Sequence, residues 1–122
     1  MIKVNHNMTI SEFEVKRCER EMEKFLSAHR PPVAIRKEVD TGYRLKNQSI
    51  EIFEIRPQWD EPNNKIENPV AKATFVKTQK EWRLYSFKSD MKWHRYEPVP
   101  EVKYLEDFLD VVVKDEYCCF WG

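Results

Sequence analysis

Glycine is nearly missing from this chain of 122 residues. Only Gly42 and Gly122 occur, where average usage would place about eight or nine. Phosphate-cradling loops, the dinucleotide fingerprint and the Gly-x-Ser-x-Gly elbow all need backbone that only glycine supplies, so they are excluded. An excess of one charge is missing too: 21 Lys and Arg balance 21 Asp and Glu, which argues against a generic polyanion binder. No apolar run approaches the ~18 residues of a membrane span. The stretch Met1-Ile2-Lys3-Val4-Asn5-His6-Asn7 has no apolar signal-peptide core. Cysteine is scarce and badly spaced for disulfides: Cys18, Cys118 and Cys119 are an odd set with one adjacent pair. That pattern fits a reducing cytosol, so a cytoplasmic localisation is expected. There is no Cys-x-x-Cys and no close histidine pair, so neither a metal nor a cofactor is expected.

What is abundant is aromatic and charged. Hydrophobic residues make up 41%, charged residues 34% and aromatics 13%, the composition of a globular domain with a usable core. Ser11 reads as a helix N-cap with Glu14 three residues on, and Ile10 is placed to staple onto Val15. Val15, Cys18, Met22, Phe25 and Leu26 then recur on one helical face, and Pro31-Pro32 ends the helix. Residues 1–8 are expected to be a flexible extension ahead of a single domain over 9–122. Residues 42–46 and 49–56 read as a hairpin around Asn47-Gln48, with Tyr43 opposite Ile52, Leu45 opposite Ile50 and Arg44 opposite Glu51. Residues 57–69, with three prolines and three asparagines, read as a loop. Residues 70–77, 82–88 and 91–96 read as a three-strand meander, and 101–113 as a second helix with Leu105, Phe108, Leu109 and Val112 on one face. The tail from Tyr117 to Gly122 is too apolar to be free and is expected to dock. The predicted fold is α+β: an N-terminal helix, an antiparallel sheet of about five strands, and a C-terminal helix packed on one sheet face.

The meander predicts two contrasting faces. A four-residue turn at Thr78–Glu81 puts Lys77 opposite Trp82, and a turn at Ser89-Asp90 puts Tyr85 opposite His94. In that register Ala71, Ala73, Phe75, Trp82, Leu84, Ser86, Met91 and Trp93 share a core face. Lys72, Thr74, Val76, Arg83, Tyr85, Phe87, Lys92, His94 and Tyr96 share the other. A one-residue slip in either turn would reverse the assignment for the strand concerned. The zero net charge also divides unevenly. Residues 70–96 carry seven basic and two acidic side chains, and residues 97–122 carry two and seven.

Aromatic rings on an open sheet can stack bases while neighbouring cations hold phosphates. The leading expectation is therefore a non-catalytic binding module that takes nucleic acid through Lys72, Arg83, Tyr85, Phe87, Lys92, His94 and Tyr96. A protein-interaction or homodimerisation module using the same face is the alternative. A third reading is a metal-dependent nuclease of restriction type through Asp40, Glu51 and Glu54. There Glu54-Ile55-Arg56 approximates a Glu-x-Lys element, although Arg56 is a poor proton acceptor. The plainer reading pairs Glu54 with Arg56. Cys18 falls on the apolar stripe and reads as core. His94 has no acid in its own strand to orient it as a base.

Several long segments carry a resemblance. Arg30-Pro31-Pro32, the run from Ser49 to Trp59, Val70-Ala71-Lys72-Ala73-Thr74, the run from Lys92 to Pro98, and Cys119-Phe120-Trp121-Gly122 resemble a small bacterial family. It is catalogued as domain of unknown function 3024. The likeness runs from about Thr9 to Gly122 and implies a stand-alone bacterial protein. It lends no reaction, cofactor or catalytic residue. A looser likeness in element order is to the double-stranded RNA-binding domain. That family places lysines at the start of its last helix, where this chain has Glu101, Glu106 and Asp107.

Overall fold

A computed structural model describes residues 11–121. The expected extension at 1–8 and the Ile10 staple lie outside them. Helix α1 (Glu12–His29) starts where expected, with the Glu14 N–H donating to Ser11 Oγ at 3.2 Å. It stops at Arg30, which turns to φ −65° and ψ 140° while its N–H still donates to the Leu26 carbonyl. Pro31 forces that stop, because its ring disfavours a helical residue before it and it has no N–H of its own. Cys18, Met22 and Phe25 form the buried stripe, with Val15 and Leu26 half-buried beside it.

A 3-10 turn at Val33–Ile35 leads into the sheet. Strands β1 (Asp40–Lys46) and β2 (Ser49–Pro57) form the expected hairpin in the expected register, Tyr43 opposite Ile52 and Leu45 opposite Ile50. Asn47 takes the left-handed turn position at φ 55°, which its short polar side chain tolerates. Gly42 is needed here for space: a Cβ would meet the Phe53 ring at 2.8 Å. Strand β3 (Lys65–Val76) begins earlier than the sequence suggests. The stretch expected to be a loop over 57–69 is irregular only from 58 to 64, closed by the Gln58 N–H on the Asn64 carbonyl at 2.8 Å. Pro69 belongs to the strand because the register with β2 shifts beside it, between Ile52 and Phe53, and because β4 pairs with β3 only from Ala71 onward. A proline at a bulge with a free far side forfeits no ladder bond.

Strands β4 (Glu81–Phe87) and β5 (Trp93–Arg95) complete the meander, and both turns differ from expectation. The β3–β4 loop has four residues but occupies 77–80, with Lys80 at φ 51°. It pairs Phe75 with Trp82 and Lys72 with Tyr85. That is a slip of two residues, which leaves every side chain on its expected face. The second turn slips by one. Lys88 to Met91 forms a β-turn (Met91 N–H to Lys88 carbonyl, 2.9 Å), Met91 follows at φ 64°, and Lys88 pairs with Lys92. A turn followed by one left-handed residue makes a three-residue hairpin loop. Tyr85 therefore lies opposite Arg95, Ser86 opposite His94 and Phe87 opposite Trp93.

The expected second helix starts late. Glu101–Val102 is a short strand, β6, paired with Arg83 and Trp82 of β4, and α2 covers Leu105–Lys114. The sheet runs β1-β2-β3-β4-β5 with β6 beside β5 on β4, all antiparallel. Both helices lie on one face, where Cys18, Met22, Phe25, Phe108 and Val112 meet Tyr43, Ile50, Ile52, Ala73 and Leu84. The tail docks as expected. The Asp115 carboxylate accepts the N–H groups of Phe120 and Trp121, and the Trp121 indole N–H donates to the Val112 carbonyl.

Candidate binding face

The other face of the sheet has no described helix over it. Alternation along β3 and β4 brings Lys72, Thr74, Arg83, Tyr85 and Phe87 to that face, and all five are half-buried. The one-residue slip of β5 changes the rest. Trp93 and Arg95 join the face as cross-strand partners of Phe87 and Tyr85. Tyr96, expected on it, turns instead into the core at 3% exposure, its ring 4.7 Å from that of Phe120. His94 leaves with it and is paired with Asp90 of the turn, Nε2 to Oδ2 2.7 Å. That bond, together with the Lys92 N–H, holds the Asp90 carboxyl below its ordinary value. Lys92 sits in the turn, exposed. Of the seven residues expected to form the site, the structure keeps Lys72, Arg83, Tyr85 and Phe87 together. Trp93 and Arg95 were missed because a three-residue loop usually announces itself with glycine, and here Met91 stands in that place.

The aromatic cluster is already occupied by the protein's own cations. Lys72 Nζ lies 4.8 Å from the Tyr85 ring centre and 5.0 Å from that of Trp93. Arg95 is 5.8 Å from the Tyr85 ring, and Phe87 meets Trp93 edge-on at 5.1 Å. Burial lowers the Lys72 ammonium from its ordinary pKa, and Glu51 beside it works in the opposite direction. Further along, Arg44 covers the Phe53 ring at 4.4 Å and pairs with Glu67 at 2.6 Å.

Acids from outside the meander reach this face. Glu51 lies between Arg44 and Lys72, and Glu101 lies opposite Arg83 and pairs with Arg95. With Glu67 and Glu81, four acids stand among Arg44, Lys72, Arg83 and Arg95. The face is a charge mosaic and not the basic surface that the meander alone implies. The excess cations sit at the hairpin ends: Lys77 and Lys80 at one, Lys88 and Lys92 at the other.

The three acids of the nuclease reading do not converge. Asp40 is gripped by Arg30 through two bonds of 2.8 and 2.7 Å, which hold its carboxyl below the ordinary range. Glu51 is on the open face. Glu54 is on the helix side, bordering a cleft with Phe25, Thr41 and Trp121 and pairing with Arg56 at 3.5 Å. Among the described residues no three His, Cys, Asp or Glu side chains are grouped to hold a metal ion. Cys18 is a core residue at 2% exposure, and burial, reinforced by Glu14, pushes its thiol up to about 12. No described helix is long and apolar enough to cross a membrane.

The family model described as Domain of unknown function (DUF3024) matches residues 10–122. No curated protein and no solved structure gives a match to the chain.

Proposed function

The chain therefore belongs to that family of unknown function, which lends it no reaction, and we propose that it is a non-catalytic binding module. Its open sheet face docks a polypeptide, and a second copy of the chain is the occupant its charge pattern fits. The observation that carries this reading is the mosaic itself: Tyr85, Phe87 and Trp93 clustered among alternating cations and acids. Tyr, Trp and Arg are the side chains that anchor protein interfaces. A two-fold axis through a mosaic face can set the acids of one copy against the cations of the other. A nucleic-acid platform asks for something else, namely bare ring faces and unmatched cations. Here Lys72 and Arg95 already cover the Tyr85 and Trp93 rings. We infer a cytoplasmic setting from the free thiols Cys18, Cys118 and Cys119, which persist in reducing compartments.

Sedimentation of the full chain across a micromolar concentration series tests the reading, with Tyr85→Glu and Trp93→Glu alongside and circular dichroism to verify folding. A dimer that both folded variants dissociate is the expected result. A wild-type chain that stays monomeric throughout overturns it. Fluorescence anisotropy with single- and double-stranded oligonucleotides runs in parallel. Steeply salt-dependent binding lost in Lys72→Glu would overturn the reading in favour of nucleic acid.

A further inference from the structure

The unmatched cations of the β3–β4 hairpin border a cleft distinct from the open face. It lies where α1, the hairpin and the start of α2 meet, with a volume of about 390 Å³, at the small end of ligand pockets. Its floor is apolar. Trp82 and Leu105 are each 5% exposed, and the Phe75 and Trp82 rings meet at 5.1 Å. Cys18 completes the floor as a neutral thiol, since burial favours the uncharged form. Tyr104 forms part of the rim at 48% exposure, with the Lys103 ammonium 5.7 Å from its ring.

The charges around this floor are lopsided once their pairings are followed. Among the acids lining it, Glu106 is held by Arg17 at 3.5 Å and Glu21 by Lys24 at 3.5 Å. Glu14 has no cation on its carboxylate among the described residues, and Arg17 reaches only Oε2 of Glu106, whose Oε1 is buried without a hydrogen-bond partner. Lys77, Lys80 and Lys103 also line the cleft, and among the described residues none pairs with an acid. An aromatic floor under three ammonium groups that hold no acid suits a molecule with a flat apolar body and one anionic end. The body takes the floor away from water, and the anion gains charge-assisted hydrogen bonds at the mouth.

We propose that this cleft binds a small aryl carboxylate, its ring on Phe75 and Trp82 and its carboxylate among Lys77, Lys80 and Lys103. The site is separate from the polypeptide-binding face, so either assignment stands without the other. Lys80 also offers a way to separate binding from folding. It holds a left-handed turn position at φ 51°, where glycine is less strained. Lys80→Gly is therefore expected to hold or raise the melting temperature while weakening the ligand, which a damaged fold cannot mimic.

The test is an amide NMR titration of the full chain with 1-naphthylacetate and with its neutral amide. The expected result is saturable shifts confined to Phe75, Trp82 and residues 103–106, at least tenfold weaker for the amide. Lys77→Gln with Lys103→Gln should weaken naphthylacetate about tenfold, and Lys80→Gly should weaken it severalfold with no loss of melting temperature. Any of three results overturns the assignment: no saturable shift, equal binding of acid and amide, or affinity indifferent to the lysines.

Discussion

The covered and open faces of this sheet are built from alternate residues of the same strands, yet they follow different rules. On the covered face, size and apolarity decide everything: Ala71 and Ala73 leave room for Leu84 and for the helix side chains above. On the open face, charge and aromatic geometry decide: Arg44, Lys72 and Arg95 each lie over a ring, Arg44 and Arg95 also pair with acids, and the Tyr85, Phe87 and Trp93 rings stay half-buried. The first arrangement produces stability, because burial of apolar surface is its source. The second produces a surface that is ordered but not consumed by folding, as a docking site must be.

The largest effect that tests this contrast comes from truncating adjacent residues of β4. Leu84→Ala opens a cavity at a fully buried position and should cost about 3 kcal/mol in urea unfolding. Tyr85→Ala, one residue on, should cost about 1 kcal/mol or less. Equal losses would mean that the open face is structural and would break the comparison. A smaller effect concerns Asp40, whose grip on Arg30 ties the end of α1 to β1. Because Arg30 is 41% exposed, Asp40→Asn should cost only about 1 kcal/mol near neutrality. The carboxyl is depressed in the folded state, so its contribution is complete above the unfolded value of about 4 and disappears as pH falls through the lower folded value. Unfolding of both proteins from pH 7 to pH 3 should show the gap closing only below about pH 4. A gap that is the same at every pH would remove the charge from the explanation. The smallest effect is a gain. Met91 is 73% exposed at φ 64°, and Met91→Gly should stabilise by about 0.5 kcal/mol. A clear loss of melting temperature would show that its side chain, and not only the turn geometry, sets the register of β5.

Legibility followed the strength of local signals. The apolar spacing from Val15 to Leu26 and the proline pair located α1, and alternation with Asn47 in the turn gave the turn and register of the first hairpin, whose first strand begins two residues earlier and whose second ends one residue later than expected. The faces of β3 and β4 were readable despite a wrong pairing, because a two-residue slip preserves alternation. The start of β3 was hidden by Pro69 and the asparagines, which signal a loop unless a bulge accommodates them. The position of β5 was hidden because Met91 performs a turn role normally written as glycine. The two-residue strand β6 carries too little pattern to be seen, and with it Glu101 was missed as a member of the open face.

Glycine poverty illustrates the division well. The amino-acid order alone excluded the glycine-dependent cofactor loops, placed α1 and the apolar face of α2, and set which residues of each long strand are apolar. It did so because helix period, strand alternation and proline sterics act over a few neighbours. Tertiary structure decided where the left-handed backbone falls, on Asn47, Lys80, Met91, Asp115 and Cys118 among the described residues. It also decided which charges meet. The basic excess of residues 70–96 went to the hairpin ends, while Glu51, Glu67 and Glu101 came from distant segments to balance the sheet face. Register and long-range electrostatics depend on packing between segments far apart in the chain, and no local pattern records them.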